Sequence, residues 1–244
     1  MMLVAPVGKI VALLAAQVAR NRALTPPSVP EAKERYQPSL LATIWQRVLP
    51  VQTRLTFWSW AIAEVAAAFS ASDFCPPSLG QLIVRLLMRN HPPSQQMGTL
   101  SPAFLTGIFL TITGSLVRLH CFWVLGQFFT FELSIRENHK LVTSGPYSIV
   151  RHPAYTGGVC ILAGMVLTIF DDNSWLVAAS GLFPRDVVSL TQTLWCLRVL
   201  ATSLPLAIIT TRMDNEDVML EKAFGQEWRA WAKKVPYKLV PGVY

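Results

Sequence analysis

Residues 139–158, HKLVTSGPYSIVRHPAYTGG, put two His, one Arg, two Pro, two Tyr and three Gly into the gap between two apolar runs. Arg151 and His152 are donors suited to a carboxylate or a sugar hydroxyl, and Tyr147 and Tyr155 offer flat faces for a base such as adenine. Gly145-Pro146 and Gly157-Gly158 mark turns, while Pro153 excludes a simple helix across the whole stretch. A plain loop held at a membrane surface is the alternative for such a segment.

What must position these residues is set by composition. The chain has 244 residues, 52% of them hydrophobic and 14% charged, with mean hydropathy +0.40. A soluble domain carries about 25% charged residues, so this is the composition of an integral membrane protein. No polar linker is long enough to divide the chain, and residues 1–244 read as a single membrane-embedded domain. The net charge of +7 does not indicate nucleic acid. Sixteen of the 21 Lys and Arg fall between Arg20 and Arg54, Arg118 and Arg151, and Arg212 and Lys238. Basic clusters alternating with apolar runs are the pattern of positive-inside topology.

A membrane-spanning helix needs about 20 mostly apolar residues. The runs 2–19, 55–72, 102–131, 155–170 and 190–211 give about five spans, with the basic clusters on the cytosolic side. The first resembles a signal peptide but lacks a basic lead and a cleavage site, so it is read as a retained span. Residues 20–54 read as a Pro-rich loop. The far end of the third run, CFWVLGQFFTFEL, reads as an aromatic helix projecting to the interface, and QLIVRLLMRN (81–90) as an amphipathic surface helix. After the last span, Leu220, Phe224, Trp228 and Trp231 recur at helical spacing among Lys222, Arg229, Lys233 and Lys234. That pattern predicts an amphipathic cytosolic helix ended by Pro236.

Glu64 and Arg198 fall inside apolar runs, where a charge either pairs locally or serves a function. Cys75, Cys121, Cys160 and Cys196 form no CxxC pair, which argues against a disulfide framework and against a metal site.

The stretch HKLVTSGPYSIVRHPAYTG followed by RMDNEDVMLEKAFGQEWRAWAKKVPYKLVP resembles the isoprenylcysteine carboxyl methyltransferase family. The signatures are Arg-His-Pro-x-Tyr-x-Gly and a later Arg-x-x-x-Glu-acidic element, together covering about Phe131 to Val240. Residues 1–100 carry no such likeness and read as variable N-terminal spans. The resemblance implies an all-α multi-span helical bundle whose cytosolic cofactor pocket is formed by the motif loop and the C-terminal amphipathic helix. It further implies an endoplasmic reticulum enzyme using S-adenosylmethionine to methylate the carboxylate of a prenylated cysteine, on CaaX-type proteins or prenylcysteine lipids.

Carried over by position, the cofactor segments are His139, Lys140, Leu141 and Val142, then Gly145 and Tyr147, and then Arg151 to Tyr155, which includes His152, Pro153 and Ala154. Glu132 takes the place of a polar cofactor contact that is often Gln in the family. Glu216 matches the cofactor glutamate, with Asp217 standing where the family usually has Glu. Arg212 matches the substrate arginine, and Arg212 and Glu216 together are the catalytic pair.

The physics suits those roles. A carboxylate is ionised near neutral pH and needs no general base, so catalysis is largely a matter of positioning. Arg212 can hold the carboxylate by a fork of hydrogen bonds. The stretch DDNSWLVAASGLFPRDVVSLTQT is longer and more polar than a short helical hairpin, which leaves the prenyl substrate open. Alternatives are a relative acting on a phospholipid amine or other small lipid, a sterol-reductase-like protein, and a non-catalytic lipid-binding protein. Sterol reductases share an Arg-His-Pro region but are much longer, and a non-catalytic protein has no need to keep Arg212 and Glu216.

Overall fold

The computed structural model describes residues 4–28, 40–89, 95–131, 139–183 and 186–244. Helices α1 (Val4–Ala23), α2 (Leu40–Ser70), α3 (Pro77–Leu87) and α4 (Pro102–Leu125) are followed by α5 (Pro153–Ile169), the single turn α6 (Trp175–Ala178), α7 (Val187–Phe224) and α8 (Gln226–Lys234). No strand occurs among the described residues. Helix starts follow local chemistry. Pro102 and Pro153 open α4 and α5 at the position where proline's missing N–H costs nothing, and the Ser101 hydroxyl caps α4 by accepting from the Phe104 amide at 2.9 Å. The Asp186 carboxylate accepts from the Ser189 amide at 2.8 Å at the start of α7.

Two helices are long and apolar enough to cross a membrane among the described residues, Pro102–Phe128 and Ser189–Phe224. The apolar α5 has 17 residues. The structure thus supports a helical membrane protein, with two of the five anticipated spans meeting the test. Helices α1 and α2 are present but carry Lys9, Arg20 and Arg22, and Arg47, Arg54 and Glu64, respectively. On α1, Val7, Val11, Leu14 and Val18 form an exposed stripe at i, i+4, i+7 and i+11. Trp123 on α4 and Trp195 on α7 are likewise exposed. Apolar faces of this extent suit a lipid solvent.

Three sequence expectations change. Residues 20–54 are not all loop, because α2 begins at Leu40 and no glycine interrupts the chain up to Ser70. The aromatic end of the third run does not continue as a helix. Gly126 adopts φ 54°, α4 stops at Leu125, and a 3-10 turn spans Gly126–Phe128. The C-terminal amphipathic helix is two pieces. Arg212 to Phe224 continue the long α7, Gly225 at φ 54° breaks the helix, and α8 carries Trp228 and Trp231.

The chain falls into two compact units, each made of three stretches. The first comprises residues 1–19, 54–112 and 162–203. Its core joins Leu13, Ala16, Trp60, Ala61, Phe104 and Ile108. Inside it Lys9 and Glu64 form a buried ion pair at 2.7 Å. Lys9 also donates to the Met97 carbonyl at 2.7 Å, and Glu64 accepts from the Trp175 amide at 2.7 Å. Glu64 therefore pairs locally. Arg198, in the same unit, donates to the carbonyl of Phe170.

The second unit comprises residues 20–53, 113–161 and 204–244. Its core joins Cys121, Phe129, Tyr147, Trp231 and Val235. Here α4 and α5 approach at glycines: a Cβ on Gly114 would stand 2.5 Å from the Gly157 carbonyl oxygen. Only hydrogen atoms at both positions permit that spacing.

Candidate functional site

The second unit encloses a cavity of about 340 Å³, within the size range of small-molecule and cofactor sites. The motif segment supplies one side. Gly145 adopts φ 60° and starts the turn Gly145–Ser148, which turns Tyr147 inward to 8% exposure. Burial pushes the Tyr147 phenol well above its ordinary pKa, with Cys121 and Glu216 adding to the shift, so it stays neutral. The indole N–H of Trp231 on α8 donates to the Tyr147 carbonyl at 3.1 Å and pins the turn.

Backbone contacts from the tail hold the next residues. The amides of Arg151 and His152 donate to the carbonyls of Tyr237 and Lys238, each at 2.9 Å, and the Thr156 hydroxyl donates to the Leu239 carbonyl at 2.8 Å. The motif and the first turn of α5 are thus strapped by residues 237–239.

Helix α7 supplies the facing side. Arg212 Nε donates to the Tyr155 hydroxyl at 2.7 Å, and that hydroxyl donates to Glu216 Oε2 at 2.9 Å. One phenol therefore joins the two residues that lie a helical turn apart. Arg212 Nη2 also donates to the Phe131 carbonyl. Behind this chain His152, 3% exposed, stands between two acids. Its Nε2 lies 3.0 Å from Asp217 Oδ1 and its Nδ1 3.9 Å from Glu216 Oε1. An ionised carboxylate only accepts, so Nε2 carries the hydrogen toward Asp217. Arg151 meets the other oxygen of Asp217 at 3.3 Å. Lys238 also pairs with Asp214 and raises the positive charge around Asp217.

An aromatic wall completes the cavity. His139 stacks on Phe128 with centroids 4.7 Å apart, and Phe129 and Phe131 line the space beside it. Glu216 is the one carboxylate lining the cavity among the described residues, with a 29% exposed side chain. Flat apolar faces beside one accessible acid are a donor set that fits a ligand bearing both a ring and a positive group.

Of the residues singled out from sequence, His139, Lys140, Leu141, Val142, Tyr147, Arg151, His152, Ala154, Tyr155, Arg212 and Glu216 line this cavity. Gly145, Pro153 and Asp217 do not: the first shapes the turn, the second starts α5, and the third anchors His152. Glu132 lies outside the described residues. Sequence reasoning missed Arg118, the Phe128–Phe131 wall and Met219. Arg118 carries the same signal as Glu64, a charge inside an apolar run, but its place at the edge of a basic cluster masks it.

A sequence model of the phospholipid methyltransferase family matches residues 102–183 of this chain. That stretch includes the Arg-His-Pro motif and stops before Arg212 and Glu216. The probable protein-S-isoprenylcysteine O-methyltransferase of Oryza sativa subsp. japonica is 26% identical over 131 residues, 53% of this chain and 56% of its own length. Protein-S-isoprenylcysteine O-methyltransferase B of Arabidopsis thaliana is 27% identical over 132 residues, 53% and 55% of the two chains. The Homo sapiens protein-S-isoprenylcysteine O-methyltransferase is 25% identical over 136 residues, 54% and 39%. The matched region is thus about half the length of these plant relatives and less of the human one. No solved structure matches the chain. The likeness first read from two short motifs is therefore a measured similarity to membrane methyltransferases.

Proposed function

We propose that this chain is an S-adenosylmethionine-dependent methyltransferase that esterifies the C-terminal carboxylate of a prenylated cysteine at the cytosolic face of a membrane, that of the endoplasmic reticulum. The observation that carries the reading is the Arg212–Tyr155–Glu216 chain on one wall of the cavity. It puts a cation suited to a carboxylate next to an acid suited to a positive group. Their separation is fixed by one helical turn and one phenol.

Bound in this cavity, S-adenosylmethionine supplies an electrophilic methyl group on a positively charged sulfur. Glu216 pairs with the positive part of such a ligand, and His139 with Phe128 offers the flat surface for its base. Arg212 holds the acceptor carboxylate through a guanidinium edge and fixes its line of approach. His152 and Asp217 hold α7 against the motif, so that Glu216 keeps its place. The aromatic wall limits access of water. The acceptor comes from prenylated CaaX-type proteins or from a prenylcysteine lipid, whose apolar chain stays in the bilayer.

The test is transfer of a radiolabelled methyl group from S-adenosylmethionine to N-acetyl-S-farnesylcysteine in membranes containing the chain. Base-labile label in the farnesyl product supports the reading, and its absence overturns it. A second reading follows from the description of the matching family, namely transfer to a phospholipid amine. Label that enters phosphatidylethanolamine, and not the farnesyl-cysteine acid, would favour that acceptor.

A further inference from the structure

Arg118 on α4 is 9% exposed and lines the same cavity. Its Nε donates to the Ala23 carbonyl at 2.9 Å and its Nη1 to the Ala154 carbonyl at 2.8 Å. The ring centroids of Phe131 and Phe122 lie 5.2 and 5.8 Å from the guanidinium carbon. All of these partners are neutral. No described residue accepts from Nη2, and that nitrogen is not among the buried polar atoms sealed off without a partner. Nor does any carboxylate of the described residues contact Arg118. A desolvated charge normally has a counter-charge, because leaving it uncompensated is costly.

The other charges in the cavity do not supply one. Glu216, the one lining acid among the described residues, bonds to Tyr155 and makes no contact with Arg118, and Arg151 pairs with Asp217. Among the described residues the lining carries Arg118, Lys140, Arg151 and Arg212 against the one carboxylate of Glu216, and a concave site with such an excess of positive charge concentrates anions. The two backbone carbonyls fix the guanidinium plane before any ligand arrives, so little ordering remains to be done on binding.

We propose that Arg118 is an anion-binding residue of the cavity and holds a ligand carboxylate through the guanidinium edge that Ala23 and Ala154 leave open. The assignment rests on the function proposed above. Both partners in that reaction bring a carboxylate: the acceptor on its cysteine, the cofactor on its methionine part.

Calorimetry on the detergent-purified full chain separates the two sources with two ligand pairs. One is S-adenosylmethionine and its decarboxylated analogue; the other is N-acetyl-S-farnesylcysteine and its methyl ester. In Arg118→Gln, one of the two acids should bind about tenfold to a hundredfold more weakly, the scale of a lost charge-assisted hydrogen bond. Its neutral twin should change by less than about threefold, within the size of a neutral bond. The affected pair identifies the carboxylate. Equal losses for acid and neutral twin in both pairs, or no loss at all, would make Arg118 only a staple between Ala23 and Ala154 and overturn the assignment. If Arg118→Gln does not fold, Arg118→Lys is measured with the same four ligands. It keeps the charge without the planar edge, so a smaller loss confined to one acid supports the role and an unselective one overturns it. A parent protein that binds none of the four ligands overturns the proposed function itself, and this assignment with it.

Discussion

Arg212 Nε donates to the Tyr155 hydroxyl at 2.7 Å across 57 residues of chain. Because that hydroxyl in turn donates to Glu216 at 2.9 Å, the phenol fixes the distance between a cation and an acid that would otherwise be free to pair directly. A direct pair would cancel the two charges the proposed reaction needs. In the proposed reaction Tyr155 would thus keep the charges of Arg212 and Glu216 from cancelling each other.

Tyr155→Phe removes both hydrogen bonds and leaves the ring in place. Turnover should fall about tenfold to a hundredfold, the cost of about 1.5–3 kcal/mol for bonds to charged groups. The thermal midpoint should hardly move. Methyl transfer and thermal unfolding measured together decide the point, and unchanged turnover would show that the phenol is packing alone.

Arg212→Ala and Arg212→Lys should both lower turnover at least about a hundredfold, on the order of misplacing a reactant. Lysine keeps the charge but loses the planar fork that now reaches Tyr155 and the Phe131 carbonyl. S-adenosylmethionine affinity by calorimetry should stay close to the parent value. Near-normal methylation of a farnesyl-cysteine analogue by Arg212→Ala would favour a different acceptor.

A tag placed after Tyr244 should be accessible from the cytosolic side of sealed microsomes. Residues 237–239 are bonded to Arg151, His152 and Thr156, so the tail and the motif share one side of the membrane. The basic residues Lys233, Lys234 and Lys238 lead to the expectation that this side is the cytosolic one. Protection of the tag from added protease in intact vesicles would reverse the topology and the site's orientation with it.

Much of this site was legible because its chemistry is written in side chains with fixed spacing. The family resemblance picked out Arg212 and Glu216, whose four-residue spacing puts them on one helix face, and it picked out the Arg-His-Pro-x-Tyr run, whose Arg151, His152 and Tyr155 line the cavity. What was not legible depends on backbone. The acceptors for Arg118 are the carbonyls of Ala23 and Ala154, and the strap on His152 is the carbonyl of Lys238. Any residue type carries a carbonyl, so no pattern marks those positions. The break at Gly225 was hidden for another reason: amphipathic spacing continues from Leu220 through Trp231, while one positive φ redirects the chain between them.

Adjacent glycines on α5 should differ sharply. In Gly157→Ala the new Cβ would lie 2.6 Å from the Gly114 carbonyl oxygen, which cannot yield without moving α4. A loss of about 1–3 kcal/mol is expected for such overpacking. In Gly158→Ala the nearest atom is Arg118 Nη1 at 3.5 Å, an ordinary contact, and helix propensity favours alanine by up to about 1 kcal/mol. Thermal unfolding in detergent should rank Gly158→Ala at or above the parent and Gly157→Ala several degrees below. Equal midpoints would contradict the close approach of α4 and α5.

The last expectation concerns Lys9 and Glu64, whose side chains are 1% and 3% exposed. Removing either partner leaves a buried charge alone, a change that costs about 3–5 kcal/mol. Glu64→Gln leaves the Lys9 ammonium with neutral partners, the Met97 and Asn173 carbonyls, the Phe104 ring and the new amide oxygen. Lys9→Met strands the Glu64 carboxylate with the Trp175 amide. The double variant Lys9→Met/Glu64→Leu replaces the pair by apolar groups of similar size, which is often neutral or stabilising. Thermal midpoints should therefore fall in both single variants and recover in the double one, because the penalty belongs to the unpaired charge and not to the loss of the bridge. A double variant as unstable as the sum of the singles would show that the two side chains act independently and that the pair is not what holds α1 to α2.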